Sequence, residues 1–149
     1  MTESPFTRVL VATLGSPWSQ RALELAVKMA KAHQLELVVV AVLAPAYVPQ
    51  KKAPFGITIT SGGDEEARQF AQGVLEKAAS LAEASGIKPV CELREGRAAE
   101  EILKSAKQHQ CDLIIIGSRG PKAGVSPVTL GETGNEVALK AHIPVMVVK

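Results

Sequence analysis

The residues with the clearest chemical potential lie near the carboxyl end of the chain. Gly117, Arg119, Gly120 and Gly131 follow the apolar run Cys111-Asp-Leu-Ile-Ile-Ile-Gly117 and precede a helical pattern. Glycines between a strand and a helix suit a phosphate for two reasons: backbone amides approach an anion closely where side chains are missing, and the helix start adds partial positive charge. Arg119 adds a charged donor. Glycines in such a loop serve equally well as turn devices, so the residues alone leave open a cradle or a bend. Two familiar phosphate signatures are absent: no Gly-x-Gly-x-x-Gly follows the first strand, and no Gly-x4-Gly-Lys-Ser/Thr occurs in the chain.

Hydrolytic chemistry needs a nucleophile beside a base, or paired carboxylates, near that loop. The chain has no Gly-x-Ser-x-Gly elbow. Ser118 follows the strand, but nothing in the sequence assigns it a base. His33, His109 and His142 fall near expected helix ends, where an imidazole complements the dipole. Asp112 opens its strand at the amino end, away from the expected pocket. No catalytic set and no metal site is expected. Cys91 and Cys111, on separate expected strands, are read as two buried thiols of a reducing compartment rather than a disulfide or metal pair.

These residues need a scaffold, and the apolar pattern supplies one. Arg8 to Thr13 forms the first buried strand. Gly15-Ser16-Pro17 breaks it, with Ser16 as a helix cap and Pro17 in the first turn. Ala22, Leu23, Ala26, Val27 and Ala30 then recur at helical spacing up to His33. Leu35 to Leu43 is a second strand. Pro45, Pro49 and Pro54 punctuate a long connection, about 44–63, read as a mobile insertion that carries Lys51, Lys52 and a β-like Ile57 to Thr60. Asp64 to Ser85 is a helix with an acidic first turn, closed by Gly86. Ile87 to Leu93 follows as strand, Ala98 to Gln110 as helix, Cys111 to Gly117 as strand, Gly131 to Ala141 as helix and Pro144 to Lys149 as strand. Strands alternating with helices predict a parallel, doubly wound α/β sheet with helices on both faces. Ligands then belong at Thr13 to Ser16 and Gly117 to Thr133, beyond the carboxyl ends of the strands.

Composition agrees with one domain covering 1–149, its core about 8–149. Hydrophobic residues make up 46% and aromatics only 3%, so the core must be Val, Ile, Leu and Ala. A formal charge of +2 gives no reason to expect a nucleic-acid partner. Met1 to Thr7 lacks the features of a signal peptide, and Leu37 to Ala44, the longest apolar run, is too short for membrane insertion.

The segment Asp112-Leu-Ile-Ile-Ile-Gly-Ser-Arg-Gly120, the later Gly131 and the ending His142-Ile-Pro-Val-Met-Val-Val-Lys149 resemble the universal stress protein family. Its usual signature is Gly-x2-Gly-x9-Gly-Ser/Thr, followed by a helix and a Pro-Val-x-Val-Val strand. The opening Val9-Leu-Val-Ala-Thr-Leu-Gly-Ser-Pro17 is similar to that family's first strand and helix, so the likeness spans Arg8 to Lys149. The resemblance implies a doubly wound open sheet of five parallel strands in the order 3-2-1-4-5, with four helices on both faces. It also implies a cytoplasmic regulatory protein that is not an enzyme, paired into a homodimer through Val145 to Val148. The short last strand would otherwise expose an unpaired edge. Some members bind ATP between the ends of strands one and four, and others bind no nucleotide.

Carried onto this chain, the cofactor-binding set is Thr13, Leu14, Gly117, Arg119, Gly120, Gly131, Glu132 and Thr133. The chain departs from the family pattern within it. Leu14 stands where ATP-binding relatives usually carry Asp, which holds the adenine or ribose end. The spacer Pro121 to Leu130 has ten residues where the family usually has nine. Glu132 replaces the Ser or Thr that meets the terminal phosphates, and Gly134 replaces a second hydroxyl. A carboxylate beside a triphosphate costs about 1 kcal/mol or more at partial burial. The same residue favours the helix start by about 0.3–1 kcal/mol. Glu132 therefore either fills the anion site with the protein's own charge or points to solvent as an ordinary first-turn acid. The functional expectation is a regulatory module of the stress response with weakened adenine-nucleotide binding. The alternatives are a partner-binding domain with a non-functional pocket and an unknown protein partner, or a weak nucleotide hydrolase.

Overall fold

The apolar runs and the helical segments between them become β1 (Arg8–Ala12), α1 (Pro17–His33), β2 (Glu36–Leu43), α2 (Gly63–Ala84), β3 (Val90–Glu95), α3 (Ala98–Gln108), β4 (Leu113–Gly117), α4 (Glu132–Lys140) and β5 (Val145–Val148). The computed structural model describes residues 4–43, 63–119 and 131–149. The expected insertion at about 44–63 lies, but for its last residue, outside the described residues, as do Gly120 and the spacer after it. All neighbouring strands pair in parallel, in the order β3-β2-β1-β4-β5.

Strand period decides which side each apolar residue serves. Val9, Val11, Leu37, Val39, Leu113 and Ile115 pack under α1 and α2. Leu10, Val38, Val40, Ile114 and Ile116 pack under α3 and α4. β1, β2 and β4 are covered on both faces, which is why they read as continuous apolar runs. Among the described residues no aromatic side chain is buried, so the core is aliphatic, as the composition requires.

Local chemistry sets the helix ends. Ser16 caps α1, its Oγ accepting the Ser19 N–H at 3.0 Å, and Pro17 occupies the first turn. α1 ends at Gln34, in the left-handed region with φ 54°, whose N–H returns to the Ala30 carbonyl.

Three of the boundaries that differ from those read in the sequence have a clear local cause. β3 begins at Val90 rather than Ile87, because the Ile87 N–H closes α2 onto the Ala82 carbonyl at 2.9 Å and Pro89 has no N–H to offer a ladder. α3 stops at Gln108, since Gln110 turns into the left-handed region at φ 55°. β4 starts at Leu113, because the Cys111 N–H is held by the Ala106 carbonyl.

Cys91 corrects another expectation. It is exposed, because β3 is an edge strand and is less covered than the strands inside the sheet. Cys111 is buried as expected, and burial pushes its thiol pKa up to about 11.

Candidate functional site

Strand order runs outward in opposite directions from β1 and β4, so their carboxyl ends meet at the switch point where open α/β sheets place ligands. The chain leaves β1 through Thr13, Leu14 and Gly15. Thr13 is buried; its N–H donates to the Val40 carbonyl at 2.9 Å and its hydroxyl to Ser19 Oγ at 3.3 Å. Ser19 Oγ in turn donates to the Ser16 carbonyl at 3.0 Å. Thr13 therefore spends its hydroxyl inside the protein. Leu14 is half-buried against the core under α1 and α2 and offers only apolar surface. Gly15 takes φ +87°, a conformation that favours glycine.

Across the switch point, Ser16 Oγ stands 3.3 Å from the Arg119 carbonyl and ties the β1 exit to the β4 exit. A Cβ on Gly117 would lie 2.7 Å from the Trp18 carbonyl carbon and 2.8 Å from the Ser19 nitrogen. Glycine is required there because the first turn of α1 lies against it, with or without a ligand. Ser118 donates its N–H to the Val148 carbonyl at 2.7 Å, and its own carbonyl accepts the Gly131 N–H at 2.7 Å. The Gly131 amide, a candidate anion donor in the sequence, is thus already bonded. Gly131 caps α4 with φ −61° and ψ 158°, which any residue adopts.

The amides of Glu132, Thr133 and Gly134 open α4, where the first helical N–H groups have no intrahelical partner and the helix carries partial positive charge. Glu132 is exposed and makes no hydrogen bond or ion pair among the described residues. Thr133 is half-buried behind it. The Arg119 guanidinium carbon lies 5.5 Å from the centre of the Trp18 ring, and that of Arg21 lies 5.8 Å from the same centre. Arg21 also donates from Nε to the Lys149 carbonyl at 3.0 Å. This end of the sheet thus joins helix-start amides, two guanidinium groups and an apolar corner at Leu14.

Other candidate groups lie elsewhere. Asp112 Oδ2 accepts the Thr7 N–H and hydroxyl, both at 2.8 Å, and Oδ1 accepts the Arg8 N–H at 3.0 Å. Burial would raise its pKa, but these hydrogen bonds prevail and hold the carboxyl below its usual range. Asp112 therefore clamps the start of β1 to that of β4.

His109 caps the end of α3 and meets Glu92 on β3. Glu92 also pairs with Arg94, which donates to Glu101 and Gln108 at 2.9 Å each. Burial would raise the Glu92 pKa, yet the hydrogen bonds from His109 and Arg94 lower it. His33 and His142 are exposed near helix ends. Among the described residues no metal-binding group of His, Cys, Asp and Glu forms, and no helix is long and apolar enough to cross a membrane.

A groove lined by Lys31, Gln34, Ser85 and Lys88 lies beside the amino end of β2. The carboxyl ends of α1 and α2 reach it, so the helix ends there present carbonyls rather than amides and do not favour an anion.

Of the expected set, the structure brings Thr13, Leu14, Gly117, Arg119, Gly131, Glu132 and Thr133 to one end of the sheet; Gly120 is outside the described residues. Sequence reasoning passed over Ser19, Trp18 and Phe70. Ser19 was detectable as the third residue after a serine cap, the position whose amide the cap binds. Trp18 offered only the helical spacing to Arg21, and Phe70 carried no local signal, because their neighbours Arg119 and Gly15 lie far away in the chain.

Comparison with known proteins gives one consistent result. The model of the universal stress protein family matches residues 5–149. A universal stress protein of Methanocaldococcus jannaschii is 31% identical over 150 residues, covering 99% of this chain and 84% of that protein. Among solved structures, UspA of Lactobacillus plantarum superposes with a TM-score of 0.83 at 25% identity, covering 98% of this chain and 99% of that one. The universal stress protein of Archaeoglobus fulgidus solved in complex with dAMP superposes with a TM-score of 0.70 at 21% identity, covering 96% and 98%.

Proposed function

The chain belongs to the universal stress protein family, and from that premise we propose that it is a cytoplasmic regulatory module that binds an adenine nucleotide weakly at the ends of β1 and β4. The observation that carries this reading is the start of α4, where three helix-start amides adjoin the switch point near Arg119. That arrangement suits a phosphate. A dAMP complex of a relative with the same fold supports an adenine nucleotide as the ligand. Two features account for weak binding. Leu14 supplies no hydrogen bond to a ribose or base. Glu132, exposed in the first turn of α4, adds a negative charge at the helix start that would hold the phosphates.

Association through Val145–Val148 completes the proposal. Both edges of the sheet are strands, but they differ in chemistry. β3 carries Glu92 and Arg94 paired under α3, and charges turned inward on an edge strand discourage further pairing. β5 is Val-Met-Val-Val, with all four residues half-exposed, and suits pairing with a second copy.

Calorimetric titration with ATP tests the ligand, on the natural chain and on Glu132→Ser. Removing a repulsion of about 1 kcal/mol tightens binding about fivefold. Equal micromolar binding by both forms would overturn the role of Glu132. Absence of heat in both would overturn nucleotide binding itself and favour a second reading, a partner-binding domain with no ligand. One observation supports that second reading: Gly117 is explained by α1 packing and the Gly131 amide by Ser118, so neither glycine requires a nucleotide.

A further inference from the structure

Phe70, in the early turns of α2, is 60% exposed in a chain whose aromatic content is only 3%. Among the described residues Val90 and Leu139 are the other exposed large hydrophobics, and neither is at the switch point. Phe70 is. A methyl group at Gly15 would stand 3.4 Å from the Phe70 ring carbon Cζ and 3.6 Å from Val74 Cγ2. Gly15 has φ +87°, so its backbone favours having no side chain, and it brings the β1 exit close to the ring. Leu14 precedes it, half-buried, and Val74 lies one helical turn beyond Phe70.

This apolar corner continues into the polar part of the site through contacts already described. Gly15 leads to Ser16, Ser16 reaches the Arg119 carbonyl, and Ser118 beside it holds Gly131 at the start of α4. The path crosses two neighbouring strands, about 5 Å apart. Anionic groups belong at the α4 amides, which leaves the apolar end for an aromatic one.

We infer that Phe70 stacks on the base of a bound nucleotide and that the site accepts adenine and guanine alike; this rests on the nucleotide reading above. Among the described residues, Leu14, Phe70 and Val74 supply the side chains of that corner, and none of the three carries a hydrogen-bonding group. Strong discrimination between related ligands requires polar groups left unpaired by the wrong one. Stacking on an aromatic ring tolerates any base.

The test measures ATP, GTP and CTP binding to the full chain by calorimetry and by the fluorescence of Trp18, its single tryptophan. It is repeated on Phe70→Ala and Phe70→Tyr, with circular dichroism melts to show that both are folded. The expected result is ATP and GTP within about threefold of each other, and a loss of about tenfold for both in Phe70→Ala. Phe70→Tyr keeps the ring and retains binding within about twofold of the natural chain. Natural-strength ATP binding by Phe70→Ala overturns the stacking role while leaving the nucleotide reading intact. A preference for ATP over GTP beyond about tenfold overturns the base tolerance, because it demands polar readout. Failure of the natural chain to bind any of the three overturns both readings together.

Discussion

Replacing Gly117 with Ala puts a methyl group 2.7 Å from the Trp18 carbonyl carbon, 2.8 Å from the Ser19 nitrogen and 2.9 Å from the Trp18 carbonyl oxygen. Ordinary contact begins at 3.4 Å, so the shortest approach is too close by 0.7 Å (3.4 less 2.7). All three obstacles are backbone atoms in the first turn of α1 and cannot rotate away as a side-chain tip would. α1 must move, and it is held by the Ser16 cap and by Ser16 against the Arg119 carbonyl. Overpacking of this kind costs about 3 kcal/mol, the upper end of its usual range. Alanine returns about 0.7 kcal/mol by restricting the unfolded chain. The net loss is about 2 kcal/mol, which lowers the melting temperature of a domain this size by about 4–8 °C.

Gly134→Ala is the matched control. Its nearest neighbour, the Gly117 carbonyl oxygen, would be 3.6 Å from the new carbon, and the position is helical. That variant gains up to about 1 kcal/mol from helix propensity. Melts followed by circular dichroism read both. If Gly117→Ala melts within about 1 °C of the natural chain yet no longer binds ATP, the packing account is wrong and Gly117 is a ligand cradle.

Further outcomes follow from the same contacts. Asp112 has a lowered folded pKa, so its stabilisation is complete above the unfolded value near about 3.9 and is lost as pH falls through the folded value. Asp112→Asn should cost about 1–3 kcal/mol at neutral pH and flatten the fall in melting temperature below about pH 4.5. Thiol titration with a chromogenic disulfide should label Cys91 in the folded protein and Cys111 only after unfolding, because Cys111 is buried and its pKa is raised to about 11. Val147→Pro tests association through β5. The Pro144 and Val148 carbonyls accept from Ile114 and Ser118, so the parallel ladder uses residues 144, 146 and 148 and turns the Val147 N–H outward. Proline there removes a donor from the open edge and spares the β4 ladder. Light scattering should show a monomer for this variant and a dimer for the natural chain; equal masses would refute pairing by that edge.

Much of the fold was legible because its signals are local. Apolar runs, helical spacing from Ala22 to Ala30, the Ser16-Pro17 start and the Gly86 stop each depend on residues within a few positions of one another. The order of the strands is not local; it came from family resemblance, and the parallel pairings bear it out. The same limit explains Cys91. Its strand looked buried by composition, but strand order leaves β3 at an edge.

Sequence alone determined that a glycine loop joins a buried strand to a helix, that Ser16 caps α1, and that Glu132 falls in the first turn of the fourth helix; the family resemblance adds that a hydroxyl is usual there. Only the tertiary structure decided what those residues face. Gly117 is constrained by the backbone of a helix about a hundred residues earlier, Gly131 is bonded through Ser118, and Thr13 hides its hydroxyl against Ser19. Phe70 reaches Gly15 from α2 across a contact that no spacing encodes. The physical reason is the same in each case: periodicity reports which face of an element is buried, whereas the partner on that face is chosen by how the helices settle on the sheet.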